Sequence, residues 1–169
     1  MQGPDHLNLV LLEIEGQHEN VSAQGYGVVP QIVLTTVAGA NEVDYFRQLL
    51  DLHLLHELRL DGPEVERTIV LPPGAGLVVR VLGDPNQRYG RLEFIEYEGI
   101  VSRNLYSRAV PPACGMLSVE YLVADLDVAL RSSAVCDVMH HGVVSTVHGR
   151  GRMASASSSS GFRVDLFEI

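Results

Sequence analysis

Apolar stretches with strand character alternate with turns through the first half of the chain, and one amphipathic helix interrupts them. Residues 28–37 are apolar and β-branched, which is typical of a strand. After Asn41, a predicted N-cap, Val43, Phe46 and Leu50 recur at helical spacing and predict a helix with one buried stripe. Further strands are predicted at 54–60, 67–71, 77–82 and 91–98, with glycine- and proline-bearing turns between them. With one strand more than the pattern requires, this order predicts a βαβββ module with a hairpin-rich second half.

The second half repeats the beginning of this order in a shorter form. Residues 116–123 predict a strand, and Asp125 can cap a helix whose apolar side includes Val128 and Ala129. We expect His140 and His141 at the C-terminus of that helix, where the dipole favours imidazolium and Gly142 provides a left-handed cap. A strand is predicted at 143–147, a flexible turn at 149–152, a mobile hairpin loop at 155–161, and a final strand at 162–169.

Matching segments indicate that the chain is built from repeated units. The stretch 10–16 (VLLEIEG) resembles 93–99 (EFIEYEG) and the closing DLFEI at 165–169, and each has the character of a unit's last strand. The segments 30–57 and 117–145 share the order strand, turn, helix, strand. We predict an extra N-terminal strand and connection at 1–25, a first module at 26–101, a linker at 102–112 and a second, shorter module at 113–169.

Composition and charge narrow the classes of partner. The chain has 169 residues, of which 46% are hydrophobic and 20% charged, so it is long enough for a substantial core. Its formal net charge of −9 disfavours nucleic acid and anionic membranes, because phosphate groups require a basic face. The acidity is compatible with a cationic or metal ligand.

The number of cysteines and the first residues of the chain indicate the cellular compartment. With only Cys114 and Cys136, a disulfide framework is not expected, and we predict two small core residues in a reducing cytoplasm. No apolar run approaches the roughly 20 residues that span a bilayer. The first residues lack the basic and apolar regions of a signal peptide. A cytoplasmic location without membrane contact is therefore expected.

The ordered set of motifs resembles the vicinal oxygen chelate superfamily, which contains glyoxalase I, bleomycin-resistance proteins, extradiol dioxygenases and epimerases. The resemblance rests on the tandem modules, on YFRQLLDL at 45–52 in the helix, and on Asp84-Pro85-Asn86 before the strand that contains LEFIE at 92–96. It covers about residues 26–169 and departs from the family at Asp51, where the helix usually ends in glycine. It implies an α+β fold of two tandem βαβββ modules that form an open cup-shaped sheet, here with one extra N-terminal strand.

The resemblance also implies where a ligand would be held. The family places a divalent metal on the first and last strands of each module, and those positions here are Gln31, Glu93, Ser118 and Asp165. Of these, Gln31, Glu93 and Asp165 offer oxygen ligands for a metal, whereas serine is a poor ligand. Because histidine is missing from the set, we expect no metal or a weakly bound divalent metal. Glu96 and Glu168 should face solvent on the opposite side of the sheet.

Two functions remain open at this stage. The leading hypothesis is a small-molecule binding protein of the glyoxalase and bleomycin-resistance type, with its ligand in the cup between modules. The alternative is a divalent-metal-dependent lyase, isomerase or dioxygenase that acts on vicinal oxygens of its substrate. We also expect a homodimer, in which the strand at 7–15 packs between subunits. The sequence leaves open whether the cup closes within one chain or across the dimer.

Overall fold

The computed structural model describes residues 31–169 apart from 88, 114–116 and 133. The predicted N-terminal strand at 7–15 and Cys114 therefore lie outside the described residues. The first half contains β1 (Gln31–Thr36), α1 (Gly39–Leu50), β2 (His53–Leu60), α2 (Pro63–Thr68), β3 (Gly76–Gly83) and β4 (Arg91–Glu98). The second half contains β5 (Val119–Val123), α3 (Leu126–Leu130), β6 (Cys136–Thr146), β7 (Gly149–Ser157) and β8 (Arg163–Glu168).

The two halves have the same sheet topology. The strand orders are β1-β4-β3-β2 and β5-β8-β7-β6, and each sheet has four strands. The opening and closing strands of each half pair in parallel, and the remaining neighbours pair antiparallel. The predicted α+β fold of tandem βαβββ modules is therefore confirmed. The predicted domain boundaries stay a prediction.

Helix termini explain two sequence features. Helix α1 begins at Gly39, two residues before the predicted cap, and its first N–H donates to the Glu96 carboxylate at 3.3 Å. It ends at Asp51, which adopts a left-handed φ of 53°, a conformation that aspartate tolerates better than most residues. The predicted cap of α3 is present, because Asp125 Oδ1 accepts from the Val128 N–H at 2.9 Å.

One hydrophobic core joins the two modules. Phe46 of α1 is fully buried and contacts Phe94 of the first sheet, with ring centroids 5.6 Å apart. The same ring lies 6.2 Å from Tyr121 and 5.7 Å from Phe162 of the second module. Each sheet therefore turns one face toward a shared core, which on the strands contains Leu34, Leu92, Phe94, Val119, Ala154, Val164 and Leu166.

The strand predicted at 67–71 is wrong. Residues 63–68 form α2 instead, because Pro63 takes the first helical turn, where its fixed φ fits and its missing N–H costs nothing. Glu66 then accepts a hydrogen bond from the Gly74 N–H at 2.6 Å and closes the connection to β3. Apolar residues at 69–71 follow the helix in an exposed turn, so their strand-like composition was misleading.

The prediction for 136–161 is also largely wrong. Helix α3 ends at Leu130, so His140 and His141 lie in strand β6 and not at a helix terminus. Residues 149–157, expected as a turn and a loop, form strand β7. Glycine at position 151 has a packing reason, since a Cβ there would come within 2.9 Å of the Phe167 ring. Cys136 is exposed at the start of β6, contrary to the expected core position.

Glu96 and Glu168 lie on the predicted face but do not simply face solvent. Arg80 Nη1 is 2.7 Å from Glu96, and Arg152 Nη2 is 2.5 Å from Glu168. Each carboxylate also accepts from the first N–H of its module's helix, at Gly39 and Leu126. The hydrogen bonds from Arg152 and Leu126 lower the pKa of Glu168 to about 2. Each module therefore contains an arginine–glutamate ion pair whose carboxylate also accepts a hydrogen bond from the N-terminus of that module's helix.

A buried carboxyl group connects the modules. Glu42 of α1 is fully buried, and its Oε1 accepts from Ser158, at 3.2 Å, and from Ser160, both in the connection between β7 and β8. Its other oxygen, Oε2, has no hydrogen-bond partner among the described residues. Burial raises the pKa of Glu42 to about 7, against the lowering effect of the Ser158 hydrogen bond. The module interface therefore contains a group that titrates near neutrality.

No helix in the described part of the chain is long and apolar enough to cross a membrane.

Candidate functional site

The first predicted pair is formed in the first module. Strands β1 and β4 are parallel neighbours, and Val33 of β1 is in register with Glu93 of β4. Gln31, the first residue of β1, lies on the same face as Val33 and contacts the Glu93 carboxylate. The Gln31 Nε2 group donates a hydrogen bond to Glu93 Oε2. Burial raises the pKa of Glu93. Glu93 makes no ion pair with any described residue; Arg91, two residues earlier on β4, shares its face, but the Arg91 Nη2 group donates to the Gln87 carbonyl at 3.3 Å.

The surroundings of Glu93 are apolar and accessible. Strand register places Val81 and Ile95 on the face that carries Glu93, and both are half-buried. Val33 and Leu58 extend the same face and are 48% and 43% exposed. An apolar face with one carboxylate–amide pair at its centre is typical of a surface that meets an amphipathic ligand or a second protein surface.

The second predicted pair is formed in the second module, but its carboxylate has more partners. Ser118 Oγ donates to Asp165 Oδ2 at 2.5 Å. Ser155 donates to Oδ1, and Arg163 Nε lies 3.2 Å from the same oxygen. Burial by itself would raise the pKa of Asp165, but the two serine hydrogen bonds and the Arg163 charge together lower it. Asp165 is therefore held as a carboxylate with most of its acceptor capacity in use.

Three members of this network were missed by the sequence analysis. Ser155 is 4% exposed, and its Oγ lies 2.8 Å from both Arg163 Nη2 and His141 Nε2. Arg163 could have been found, since it precedes Asp165 by two residues on a strand and must share its face. His141 and Ser155 were hidden because their strands were assigned to a helix end and a loop.

A histidine–carboxylate contact lies on the same face of the second sheet. His148, in the turn between β6 and β7, reaches across to Glu120 of β5 at 2.9 Å. Its ring lies over Phe167, with centroids 6.0 Å apart. Glu120 is in register with Asp165, which places both acids on one face. The second face therefore combines these polar groups with the apolar side chains of Leu122 and Phe167, whereas the first is mostly apolar.

Both predicted pairs lie on the side of their sheet that faces away from the shared core. In β4 the core residues Leu92 and Phe94 flank Glu93, and in β8 the core residues Val164 and Leu166 flank Asp165. Because side chains alternate along a strand, the two acids point out on opposite sides of the common core. Among the described residues no hydrogen bond or ion pair joins the two pairs.

Two clefts in the described part of the chain lie elsewhere. One of about 340 Å³ is at the C-terminal end of α1, between Arg47 and His53. Another of about 260 Å³ lies beside the end of β1, next to Tyr106. Neither is lined by Gln31, Glu93, Ser118 or Asp165.

Comparisons with known proteins bear on the fold. No family model matches the chain, and no curated protein matches it. Solved structures do match. A glyoxalase family protein from Bacillus cereus is 18% identical with a TM-score of 0.60, and the match covers 95% of this chain and 98% of that one. The protein has the fold of the vicinal oxygen chelate superfamily.

Two other solved structures show the range of proteins that share this fold. The glyoxalase I of Leishmania major is 17% identical with a TM-score of 0.52, over 82% of this chain and 84% of that one. An antibiotic-binding protein from a Streptomyces species is 13% identical with a TM-score of 0.50, over 85% of this chain and 96% of that one. At such identities the vicinal oxygen chelate fold is shared, and function must be argued from this chain's own residues.

The metal that this superfamily fold implies fits the residues here poorly. The Asp165 carboxylate already accepts from Ser118, Ser155 and Arg163, so little acceptor capacity is left for an ion. The Arg163 guanidinium beside it would also repel a cation. Glu93 and Gln31 alone provide only two oxygen ligands. No group of three or more histidine, cysteine or acidic residues in the described part of the chain is arranged to hold an ion.

Proposed function

We propose that the protein binds a small organic molecule between the face that carries Gln31 and Glu93 and the face that carries Ser118 and Asp165. The observation that carries this proposal is the pairing itself: both predicted pairs are joined by hydrogen bonds at equivalent positions of the two modules. Both also lie on faces that are turned away from the core of the described residues. Accessible faces with few, well-placed polar groups are typical of ligand sites.

We further propose that the site is completed by a second copy of the chain. The two faces point away from each other within one chain, so the first face of one copy would meet the second face of another. The exposed Val33 and Leu58 favour this arrangement, because an apolar face of this kind is stabilised by contact with a partner. A homodimer would then contain two equivalent sites, each built from both subunits.

The charge of the two faces suggests the kind of ligand. Glu93 lacks a cationic partner among the described residues, so a protonated amine or another hydrogen-bond donor would compensate it. The surrounding valine, leucine and isoleucine side chains favour an apolar body on the same molecule. The ligand proposed is thus an amphipathic molecule with at least one cationic or donor group.

Thermal-shift screening against a panel of metabolites and antibiotics tests this proposal. We expect at least one compound to raise the melting temperature of the wild type, and Glu93→Gln to reduce that shift. Glu64→Gln, which changes an exposed acid on α2, is the matched control and should leave the shift unchanged. Absence of stabilisation by every compound, together with metal-dependent turnover, would overturn the proposal.

Subunit complementation tests whether the site is shared between copies. Glu93→Gln and Asp165→Asn chains should each bind the stabilising compound weakly, whereas a co-expressed mixture should regain part of the binding, because hybrid dimers contain one intact site. Sedimentation should show a dimer. A monomer, or a mixture that binds no better than its parents, would contradict a shared site.

The metal-dependent lyase, isomerase or dioxygenase remains the second hypothesis. It requires Gln31, Glu93 and Asp165 to bind one divalent ion. Elemental analysis of protein purified without chelators and then reconstituted distinguishes the two functions. Stoichiometric metal that is lost in the Glu93→Gln variant would favour the enzyme.

A further inference from the structure

Strand β6 adds a histidine to the proposed site that the family resemblance did not nominate. His141 lies in a register irregularity of the β6–β7 ladder, between His140 and Gly142. This irregularity turns the His141 ring toward Ser155, on the face that carries Asp165. The side chain is otherwise exposed. His141 therefore stands at the rim of that face, in contact with its network and accessible to a bound molecule.

The hydrogen bonds around Ser155 fix which imidazole nitrogen carries a proton. A serine hydroxyl can donate once and accept twice. Asp165, ionised because its pKa is lowered, can only accept, so the Ser155 proton belongs to the Ser155–Asp165 contact. Arg163 Nη2 can only donate, and it occupies one Ser155 lone pair at 2.8 Å.

The remaining contact of Ser155 is with His141. Its Oγ has no second proton to give, so His141 Nε2, at 2.8 Å, must be the donor. A neutral imidazole protonated on Nε2 carries its lone pair on Nδ1. That Nδ1 has no hydrogen bond to any other residue in the described parts of the chain. Through Ser155, His141 is connected to Arg163 and Asp165.

We propose that His141 is a specificity-determining residue of the site, whose Nδ1 accepts a hydrogen bond from a hydroxyl or N–H group of the bound molecule. This inference rests on the proposed small-molecule function. Ser155 and Asp165 act as positioning residues, since they hold the ring in one tautomer and one orientation. A ligand whose corresponding group lacks a proton would leave Nδ1 without a partner and bind more weakly.

The tautomer can be tested without any ligand. Long-range ¹H–¹⁵N spectra of the full chain at about pH 8, where unperturbed imidazoles are neutral, should show His141 protonated on Nε2. Ser155→Ala should reduce that preference, because the acceptor for Nε2–H is removed. Ser102→Ala, in an exposed segment away from the site, is the control and should leave the tautomer unchanged. A wild-type ring protonated on Nδ1 would overturn the inference.

Ligand recognition is tested with matched probes. Phenol and benzamide each carry a donor, and anisole and N,N-dimethylbenzamide are their capped counterparts. We expect phenol or benzamide to shift the His141 Nδ1 resonance and to bind at least several-fold more tightly than the capped compound. His141→Phe keeps a ring but removes the nitrogen, and it should abolish that difference. His140→Phe is the control, since His140 faces Ala154 on the other side of the strand.

The outcomes separate this inference from the proposed function. If the probes perturb residues around Glu93 and Asp165 but His141→Phe retains the preference for phenol over anisole, the role of His141 is wrong and the binding function stands. If none of the four probes binds, the role of His141 is contradicted, and the proposed function is judged by the thermal-shift panel alone. A preference for donor probes that is lost in His141→Phe and kept in His140→Phe supports the role of His141.

Discussion

Glu93 and Asp165 occupy equivalent positions on the closing strands of the two modules, yet their surroundings differ. Glu93 has one amide partner, an apolar neighbourhood and a raised pKa. Asp165 has two hydroxyl partners, a guanidinium and a lowered pKa. The same backbone position therefore carries a carboxyl that is costly to ionise in one module and one that is stabilised as an anion in the other.

This difference teaches that a shared fold does not fix the chemistry of a site. A symmetric metal site would need both carboxylates to be free acceptors. Here Arg163 and Ser155 satisfy one of them internally, whereas Glu93 has no ion-pair partner among the described residues. The comparison favours asymmetric recognition, with a cationic or donor group at Glu93 and hydrogen bonding at the second face.

A third carboxyl, that of Glu42, should have the largest effect on the pH dependence of stability, because its side chain is fully buried. Its pKa is raised from 4.5 to about 7, so the folded state binds an extra proton between these values. Wild-type stability should fall as pH rises through this window by up to about 3 kcal/mol, from about 1.4 kcal/mol per pKa unit. Glu42→Gln should lack this fall and be more stable than the wild type at pH 8.

Urea denaturation at several pH values measures this effect. Asp44→Asn, on the exposed side of the same helix, is the matched control and should keep the wild-type profile. A Glu42→Gln variant with the wild-type pH dependence would show that Glu42 is not the group responsible.

Removal of the Asp165 carboxylate should have the next largest effect. Asp165→Ala leaves the buried Ser155 hydroxyl and the Arg163 guanidinium without their acceptor, and we expect a loss of about 2 kcal/mol in unfolding free energy. Asp165→Asn keeps one acceptor oxygen and should lose less. Chemical denaturation at pH 7 checks both variants, and an unchanged midpoint for Asp165→Ala would refute the role of this network in stability.

The two site carboxyls should give pH dependences of opposite sign. The raised pKa of Glu93 makes its contribution to stability fall as pH rises above about 4.5, its ordinary value. The lowered pKa of Asp165 gives stability that is present above 3.8 and is lost as pH falls through its folded value. Glu93→Gln should remove the first slope and Asp165→Asn the second, and both slopes should be smaller than that of Glu42, because these two carboxyls are only partly buried. If stability depended on pH in the same way in both variants, the proposed difference between Glu93 and Asp165 would be contradicted.

The smallest effect is expected from Arg163. Arg163→Met keeps the length of the side chain but removes the charge that helps to lower the pKa of Asp165. The pKa of Asp165 should rise, and stability should fall by about 0.5 kcal/mol, because the pair is partly exposed. Arg131→Met, on the surface after α3, is the control. If the pKa of Asp165 were the same in Arg163→Met as in the wild type, the serine hydrogen bonds alone would account for the lowered pKa.

Much of the fold could be predicted from the sequence, because the strands around Glu93 and Asp165 carry strong apolar alternation and α1 has a clear buried stripe at Val43 and Phe46. The part from 136 to 157 could not, because Gly151 packs against Phe167 and Ala154 lies in the shared core, which local propensity does not record. Missing strand β7 hid Ser155, and misplacing β6 hid His141.

The proximity of Gln31 to Glu93 and of Ser118 to Asp165 could be predicted from the family resemblance, because the first and last strands of a βαβββ module are parallel neighbours. The electrostatic difference between Glu93 and Asp165 could not be predicted, because it depends on Arg163 and on Ser155, which lies in a strand that was predicted as a loop. Glu96 and Glu168 were misjudged for a related reason: their arginine partners, Arg80 and Arg152, lie on neighbouring strands, far along the chain.

A ¹³C titration of the side-chain carboxyls tests the central contrast most directly, because it measures Glu93 and Asp165 in one sample. The account predicts that Glu93 titrates above 4.5 and Asp165 below 3.8. Two carboxyls that titrate together, or in the reverse order, would contradict it.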